Sequence, residues 1–241
     1  MRDIYYMMIP AHYIHDLSPI IFQFSERIAL RWYGLAYLAG AWGGYLLLRR
    51  FARKNWLDLP EKQVADFVTM LVLVGVLLGG RMGYLLFYDD LQMLRDPLRV
   101  FQVWKGGMAS HGGMIGVGLY LLYFARRNKT SFLNLVDNVV TVVPLGLFFG
   151  RLANFINGEL WGRTTQVAWG VVFPGEVGAS SVAEAKGLVA AGELFPRHPS
   201  QLYEAFGEGL LLFIVLLLLR RHWGQSGKNG YLTVVFMAGY G

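Results

Sequence analysis

Arg151, in a long apolar stretch, is the residue of this chain best suited to binding an anion. It lies three residues before Asn154 and seven before Gly158, so on a helix these positions share one stripe. A guanidinium, an amide and a glycine together leave room for a ligand to approach the backbone. A planar guanidinium binds phosphate bidentately, and the pattern therefore predicts an anion clamp at Arg151.

His111 is the candidate for proton transfer. It lies in GGMASHGGMIG (106–116), where glycines on both sides reduce side-chain bulk and let a large group reach the ring. A neutral imidazole is well matched to removing a proton near neutral pH. Ser110 precedes it, but neighbours in sequence point to different faces of a helix, which argues against a Ser/His nucleophile pair. A hydrogen-bonded structural histidine is the alternative interpretation.

Other ionisable side chains also interrupt apolar stretches, where their cost makes each a candidate for function. Arg81 is interpreted either as a second phosphate contact or as an arginine that snorkels or pairs with a carboxylate between helices. Snorkelling is the favoured interpretation for Arg31, at the start of its stretch. Asp137 lies at the opposite end of its stretch from Arg151.

The composition indicates an integral membrane protein. Of 241 residues, 55% are hydrophobic and only 16% charged, and the mean hydropathy is +0.40, which excludes a large soluble domain. The chain has no cysteine, so any thiol that reacts belongs to a substrate. The net charge of +6 comes from clusters between apolar runs, which is typical of membrane topology and not of a nucleic-acid surface. No metal or organic cofactor is predicted.

Five apolar stretches are long enough to cross a bilayer as helices. They are 28–48, 64–88, 108–125, 132–156 and 202–219. A sixth stretch, 230–241, covers only about 18 Å as a helix, which is too short to span. The sequence thus predicts an all-α, polytopic transmembrane bundle that forms a single integral-membrane domain over 1–241.

The basic clusters predict the orientation, because Lys and Arg are retained in cytoplasmic loops. Three loops are predicted inside on this basis, and the N-terminus and the connection 157–200 are predicted to be extracytoplasmic. The ionisable side chains of the spans, Asp137 excepted, then gather in the outer half of the bilayer. The inner loops carry Arg49, Arg50, Arg53, Lys54 and Lys62, then Arg126, Arg127 and Lys129, then Arg220, Arg221 and Lys228.

Two local patterns predict how the helices start and pack. Ser200, after Pro199, is predicted to be an N-cap with Glu204 in the first turn. Glycine pairs four residues apart allow close helix contact. The pairs are Gly40 and Gly44, Gly79 and Gly83, Gly112 and Gly116, and Gly146 and Gly150.

Five sequence blocks resemble those of a known family, the bacterial prolipoprotein diacylglyceryl transferases. They occur in the family's order and spread over nearly the whole chain. The blocks are RWYGLAYLAG (31–40), GGRMGYLLFY (79–88), GGMASHGGMIG (106–116), GRLANFINGELWGR (150–163) and RHPSQLYE (197–204).

This resemblance implies an enzyme of the bacterial inner membrane, with about seven spans and its active site toward the extracytoplasmic face. It would move the diacylglyceryl unit of phosphatidylglycerol to the lipobox cysteine of a preprolipoprotein, forming a thioether and releasing glycerol phosphate. The family continues past Gly241 into a last pair of helices with an arginine and a glutamate. By resemblance His111, Arg151 and Tyr33 would be catalytic, and the residues that would bind substrate are Asn154, Gly158, Glu159, Gln201, Tyr203 and Glu204. Arg81 is added to the substrate-binding residues as the hypothetical second phosphate contact.

The chemistry of such a transfer fits the residues. Displacing a phosphate ester by a thiol needs an anion clamp and a base, roles predicted for Arg151 and His111 in one pocket near the outer headgroups. The main alternative is a lipid or anionic-solute transporter or flippase without covalent chemistry. An intramembrane serine hydrolase and a purely structural membrane component are further alternatives, and the hydrolase lacks a GxSxG elbow.

Overall fold

The chain is mostly helical in a computed structural model, which describes residues 12–25, 28–89, 96–102, 106–224 and 229–240. Lys228 and Gly241, which entered the sequence predictions, lie outside these residues. The strands are β1 (Tyr13–Ile14), β2 (Ile20–Gln23), β3 (Ala29–Arg31) and β4 (Val171–Val172). The helices are α1 (Trp32–Arg53), α2 (Glu61–Phe87), α3 (Ser110–Asn128), α4 (Phe132–Asn157), α5 (Val182–Ala191), α6 (Ser200–Trp223) and α7 (Tyr231–Gly239).

Three helices of the described residues are long and apolar enough to cross a membrane. They are α2 with 27 residues, α4 with 26 and α6 with 24, each close to its predicted stretch. The other two predicted spans are helices of 22 residues (α1) and 19 residues (α3). The helical membrane class is therefore confirmed, whereas the number of spans and the orientation stay predictions.

The first predicted span begins later than expected. Residues Ala29–Arg31 form β3, which pairs antiparallel with β2 and places Arg31 opposite Ile20. The amide of Trp32 donates to the carbonyl of Pro19 at 3.2 Å where the helix begins. The prediction that Arg31 lies inside span one is therefore wrong, because the residue belongs to a strand.

The described chain divides into two compact units. The first contains the described residues up to Trp42, those of Val143–Val215, and Tyr240. Part of it is a small folded region within 157–200, where β4 pairs in parallel with β1. Val172, Ala185 and Leu194 form the apolar core of this region.

The second unit contains the described residues of Gly43–Val142 and Leu216–Gly239. Its apolar core includes Phe51, Phe67, Leu121 and Leu135. Asp137 is fully buried beside this core. Its carboxylate accepts hydrogen bonds from the amide of Gly230 at 2.6 Å and from the amide and hydroxyl of Thr233 at 2.9 and 2.5 Å. Asp137 therefore anchors the first turn of α7, which explains a carboxylate buried in this part of α4.

Glycines let α2 and α3 approach each other closely. A Cβ atom added to Gly83 would lie 2.5 Å from the Cα of Gly112, and one added to Gly112 would lie 2.5 Å from the carbonyl oxygen of Gly79. These distances leave no room for a side chain, so the packing interpretation is confirmed for this helix pair. Gly150 differs, because an added Cβ meets nothing within 4 Å, and close helix contact does not account for it.

We expect Gly112→Ala to destabilise the protein by roughly 1–3 kcal/mol, because the new methyl group meets backbone atoms that cannot turn aside. Gly118→Ala on the same helix is the matched control, since its added Cβ has open space. Thermal or denaturant unfolding in detergent measures both changes. Equal stability of the two variants would contradict the packing role.

Candidate active site

The end of α4, the two residues that follow it and the start of α6 together hold most of the predicted site residues. Asn154 is buried, and its side-chain amide donates to the hydroxyl of Tyr33 at 3.1 Å and to Glu159 Oε1 at 2.7 Å. Gln201, fully buried, donates from its side-chain amide to the backbone carbonyl of Glu159 at 2.5 Å. We call Tyr33, Asn154, Glu159 and Gln201 the Asn154 network.

The turn that ends α4 folds Glu159 back toward Asn154. Gly158 has a φ of 65°, a left-handed conformation that glycine adopts without strain. Its amide donates to the carbonyl of Phe155 at 2.9 Å, and the amide of Glu159 donates to the carbonyl of Asn154 at 3.1 Å. The need for glycine at this position is thus conformational, which complements its predicted role at the binding site.

Arg151 forms an ion pair with Glu204. Its Nε lies 2.7 Å from Glu204 Oε2, and the two side chains keep 25% and 32% of their surface exposed. Within the part of the chain that the structure describes, the terminal nitrogens of Arg151 have no hydrogen-bond partner. The guanidinium is thus oriented by a carboxylate from another helix while its outer edge can still bind an anion.

The predicted cap of α6 is wrong in one respect. Pro199 is the N-cap, and Ser200 is the first helical residue. The hydroxyl of Ser200 donates to the carbonyl of Leu160 at 3.0 Å, so it joins α6 to the preceding connection. Glu204 does lie near the start of the helix, where Arg151 pairs with it.

Tyr203 belongs to a separate, exposed cluster. Its hydroxyl accepts a hydrogen bond from the indole of Trp169 at 2.7 Å and lies 3.2 Å from His198 Nδ1. The tyrosine is 45% exposed. It is therefore available to a ligand, although it forms no hydrogen bond with the Asn154 network among the described side chains.

Arg81 binds backbone carbonyls. The residue is buried, and its Nη2 and Nε donate to the carbonyl of Arg99 at 2.8 and 3.2 Å. Its Nη1 donates to the carbonyls of Gly106 and Gly107, the second at 3.0 Å. These contacts favour the structural interpretation, in which Arg81 holds the segment before α3, and a direct phosphate contact stays a prediction.

His111 lies in the first turn of α3 and its side chain is exposed. Among the described residues, no side chain or carbonyl forms a hydrogen bond with its ring. The neighbouring Gly112 serves contact with α2, and Gly106 and Gly107 adopt φ values of 76° and 83° in the segment that Arg81 binds. The glycines thus serve packing and turns, while the exposure of the ring leaves it accessible.

The structure brings most of the predicted residues into the first unit. Tyr33, Asn154, Glu159 and Gln201 are linked by hydrogen bonds, and Arg151 is linked to Glu204. Arg81 and His111 belong to the second unit.

Sequence reasoning missed two features of the first unit. Arg197 pairs with Glu176, whose carboxylate raises the pKa of the arginine. His15 packs beneath the turn at Gly158. Arg197 opens the block RHPSQLYE and was available as a signal, whereas no local pattern marks His15.

Comparison with known proteins matches this chain to one enzyme family. The family model described as prolipoprotein diacylglyceryl transferase matches residues 19–241. A phosphatidylglycerol–prolipoprotein diacylglyceryl transferase from Rhizobium leguminosarum is 45% identical over 231 residues, which is 93% of this chain and 76% of the relative. Relatives of the same name from Cereibacter sphaeroides and Pseudoalteromonas atlantica are 44% and 45% identical, covering 94% of this chain and 77% and 72% of their own lengths.

The mostly helical fold, its apolar helices and these relatives define the class: the chain is a membrane transferase. More narrowly, it belongs to the prolipoprotein diacylglyceryl transferase family, because the match covers nearly the whole chain at about 45% identity. The resemblance inferred from the five sequence blocks is thereby confirmed.

We expect Asn154→Asp to destabilise the protein by roughly 1–3 kcal/mol, because it replaces a buried donor with an acceptor that faces Glu159. Adding Glu159→Gln restores a donor between the two side chains and is expected to recover most of the loss. Unfolding in detergent measures both variants. A double variant no more stable than Asn154→Asp would contradict the direct bond between these residues.

Proposed function

We propose that this chain transfers the diacylglyceryl group of phosphatidylglycerol to the thiol of the lipobox cysteine in a preprolipoprotein signal peptide. The cysteine thiol loses its proton and its sulfur forms a bond to the terminal glyceryl carbon. The bond from that carbon to the phosphate oxygen breaks, and glycerol phosphate leaves with the electron pair. The relatives are named for both substrates, phosphatidylglycerol and a prolipoprotein.

The ion pair at Arg151 carries the proposal. Its Nε lies 2.7 Å from Glu204 Oε2, whereas its terminal nitrogens have no hydrogen-bond partner among the described residues. Such nitrogens bind a phosphate through two parallel hydrogen bonds. Negative charge grows on the leaving phosphate during transfer, so a fixed cation beside it lowers the barrier.

The remaining residues take supporting roles in this proposal. Asn154, with Tyr33 and Glu159, holds the polar wall beside Arg151, and Gly158, Gln201, Tyr203 and Glu204 shape the place where the lipid headgroup binds. His111 accepts the thiol proton, since its exposed imidazole is suited to proton transfer near neutral pH. Arg81 acts indirectly, by holding the segment that leads into α3.

Two substitutions test the catalytic roles, each with a matched control. We expect Arg151→Ala and His111→Gln to reduce transfer about 100-fold or more, the scale on which charge stabilisation and acid–base catalysis act. The exposed residues Arg221 and His222 serve as controls, because Arg221→Ala and His222→Gln make the same chemical changes elsewhere.

The assay uses purified protein in vesicles, phosphatidylglycerol with labelled acyl chains, and a lipobox peptide with Cys or Ser. Label transfer to the Cys peptide alone supports the transferase. Movement of labelled lipid across the vesicle without a covalent product would support the transporter alternative. Normal turnover in either site variant removes that residue from the mechanism.

We further propose five spans in the bacterial inner membrane, in a single membrane domain with the N-terminus and the connection 157–200 extracytoplasmic. The basic clusters of the inner loops support this orientation. The active site would then face the outer leaflet, where signal peptides of translocated proteins present their cysteine.

Single cysteines test the orientation, because the chain contains none of its own. We expect Lys186→Cys, in α5, to react with an impermeant maleimide in intact cells and Lys62→Cys, at the start of α2, to react only after lysis. Both lysines are exposed, so accessibility within the protein does not distinguish them. The reverse labelling pattern would invert the proposed topology.

A further inference from the structure

Arg220, predicted to lie in an inner loop, is a buried arginine near the end of α6. The residue is only 4% exposed, and its Nη2 donates to the backbone carbonyl of Trp56. Its Nε is buried and has no hydrogen-bond partner among the described residues. These residues also give Arg220 no salt-bridge partner. A buried charge with unused donors is costly, so such an arginine is a candidate for ligand binding.

The loop between α1 and α2 holds Arg220 in place. The carbonyl of Trp56 accepts from the side-chain amides of Asn134 and Asn138 at 2.9 and 3.3 Å, in addition to Arg220. The guanidinium also lies over the indole of Trp56, 5.9 Å from the ring centroid, which is within the range of a cation–π contact. Of the three guanidinium nitrogens, Nη2 alone has a hydrogen-bond partner in the part of the chain that the structure describes.

Arg220 lines a polar cavity of about 800 Å³ in the second unit, which we call the Arg220 cavity. Its walls are the loop between α1 and α2, the turn between α3 and α4, and the end of α6. Thr130 contributes a hydroxyl oxygen that is buried and has no hydrogen-bond partner among the described groups. Ligand pockets have volumes of about 300–1,000 Å³, so the cavity can hold a headgroup-sized molecule. Its other polar side chains are Asn55, Asp58, Asn128, Ser131, Asn134 and Asn229.

The charges of the lining favour an anion. Arg220 and Lys129 contribute positive charge, and Asp58 and Glu61 contribute negative charge. Glu61 is already neutralised, because its Oε1 lies 2.7 Å from nitrogens of two arginines outside the lining. The carboxylate of Asp58 accepts a hydrogen bond from the amide of Ser131 at 3.1 Å. Two cations therefore face one unpaired carboxylate, and the excess charge of the cavity is positive.

We propose that the Arg220 cavity binds an anionic phosphate group, either the headgroup of a phospholipid in the inner leaflet or a free phosphate ester. The end of α6 lies at the inner surface in the proposed orientation, and basic pockets between helices on this side bind anionic headgroups. A guanidinium binds phosphate through two parallel hydrogen bonds. The site is distinct from the proposed transfer, which takes place at the outer face, and its leaflet rests on the proposed orientation.

Protection of a single cysteine from labelling tests the cavity, because the chain has none of its own. Asn128→Cys places a thiol in the lining, whereas Lys62→Cys places one on an exposed residue outside it. The purified protein is inserted into nanodiscs and labelled with a neutral maleimide. An occupied cavity excludes the reagent, so a ligand at ten times its Kd should slow labelling of Asn128→Cys about 5-fold or more. Labelling of Lys62→Cys should not change.

Two arms of this experiment distinguish the sources of the phosphate. Slower labelling of Asn128→Cys in phosphatidylglycerol nanodiscs than in phosphatidylcholine nanodiscs assigns the cavity to a lipid headgroup. Protection by added glycerol phosphate in phosphatidylcholine nanodiscs assigns it to a free ester. Glycerol, which lacks the phosphate, should give no protection. Protection in neither arm overturns the site.

Arg220→Gln tests the guanidinium, and Arg221→Gln, at the exposed neighbouring position, is the matched control. The glutamine can still donate to the carbonyl of Trp56 but lacks the charge. We expect it to raise the ligand concentration, or the mole fraction of phosphatidylglycerol, that halves the labelling rate by about 10-fold or more, the scale of a charged hydrogen bond. Arg221→Gln should leave this value unchanged.

If Arg220→Gln does not accumulate in membranes, Arg220→Lys replaces it, because lysine keeps the charge and loses the planar fork. Full protection in the Arg220 variant overturns the proposal, since the general positive charge of this face would then explain binding. Equal loss in the Arg221 variant overturns it for the same reason. No step of the experiment requires transfer, so an inactive protein with a protected cavity overturns the proposed function and leaves this site standing.

Discussion

The ion pair between Arg151 and Glu204 is the constraint on which the candidate site depends. An arginine in an apolar helix is costly unless a partner offsets its charge, and removing one member of a well-buried pair typically costs about 3–5 kcal/mol. Here both side chains keep 25–32% exposure, so the effect on stability is smaller. The pair occupies Nε of Arg151, while the terminal nitrogens have no hydrogen-bond partner among the described residues and so can still bind an anion.

This pair in turn restricts where α6 begins. Pro199 has no backbone N–H to donate, and it is the N-cap of α6. The first turn of the helix therefore contains Gln201, and Glu204 follows directly after it. Gln201 and Glu204 are three residues apart and share a face. One meets the carbonyl of Glu159 and the other meets Arg151. A shift of one residue in the register of this helix would rotate both side chains by about 100° and away from these partners.

The sequence predicted well what depends on local pattern and poorly what depends on distant partners. Apolar length placed α4 within one residue of its observed bounds, because a helix that crosses the bilayer core needs a run of about 20 predominantly apolar residues. The strand at Ala29–Arg31 was missed, since the three residues before Trp32 are equally compatible with the start of an apolar helix. The partner of Arg151 lies 53 positions further along the chain at Glu204, and no periodicity reports such a contact.

Exposure of hydrogen-bonding atoms separates the charged groups that can still bind a ligand from those that are already fully partnered. Asp137 and Arg81 are both buried, and each is enclosed by partners: the carboxylate by Gly230 and Thr233, the guanidinium by backbone carbonyls. Groups satisfied in this way stabilise the fold and have little capacity left for a ligand. Arg151 has one anchored nitrogen and an accessible edge, and His111 has an exposed ring. Of the four side chains compared here, Arg151 and His111 therefore remain able to bind a ligand or react.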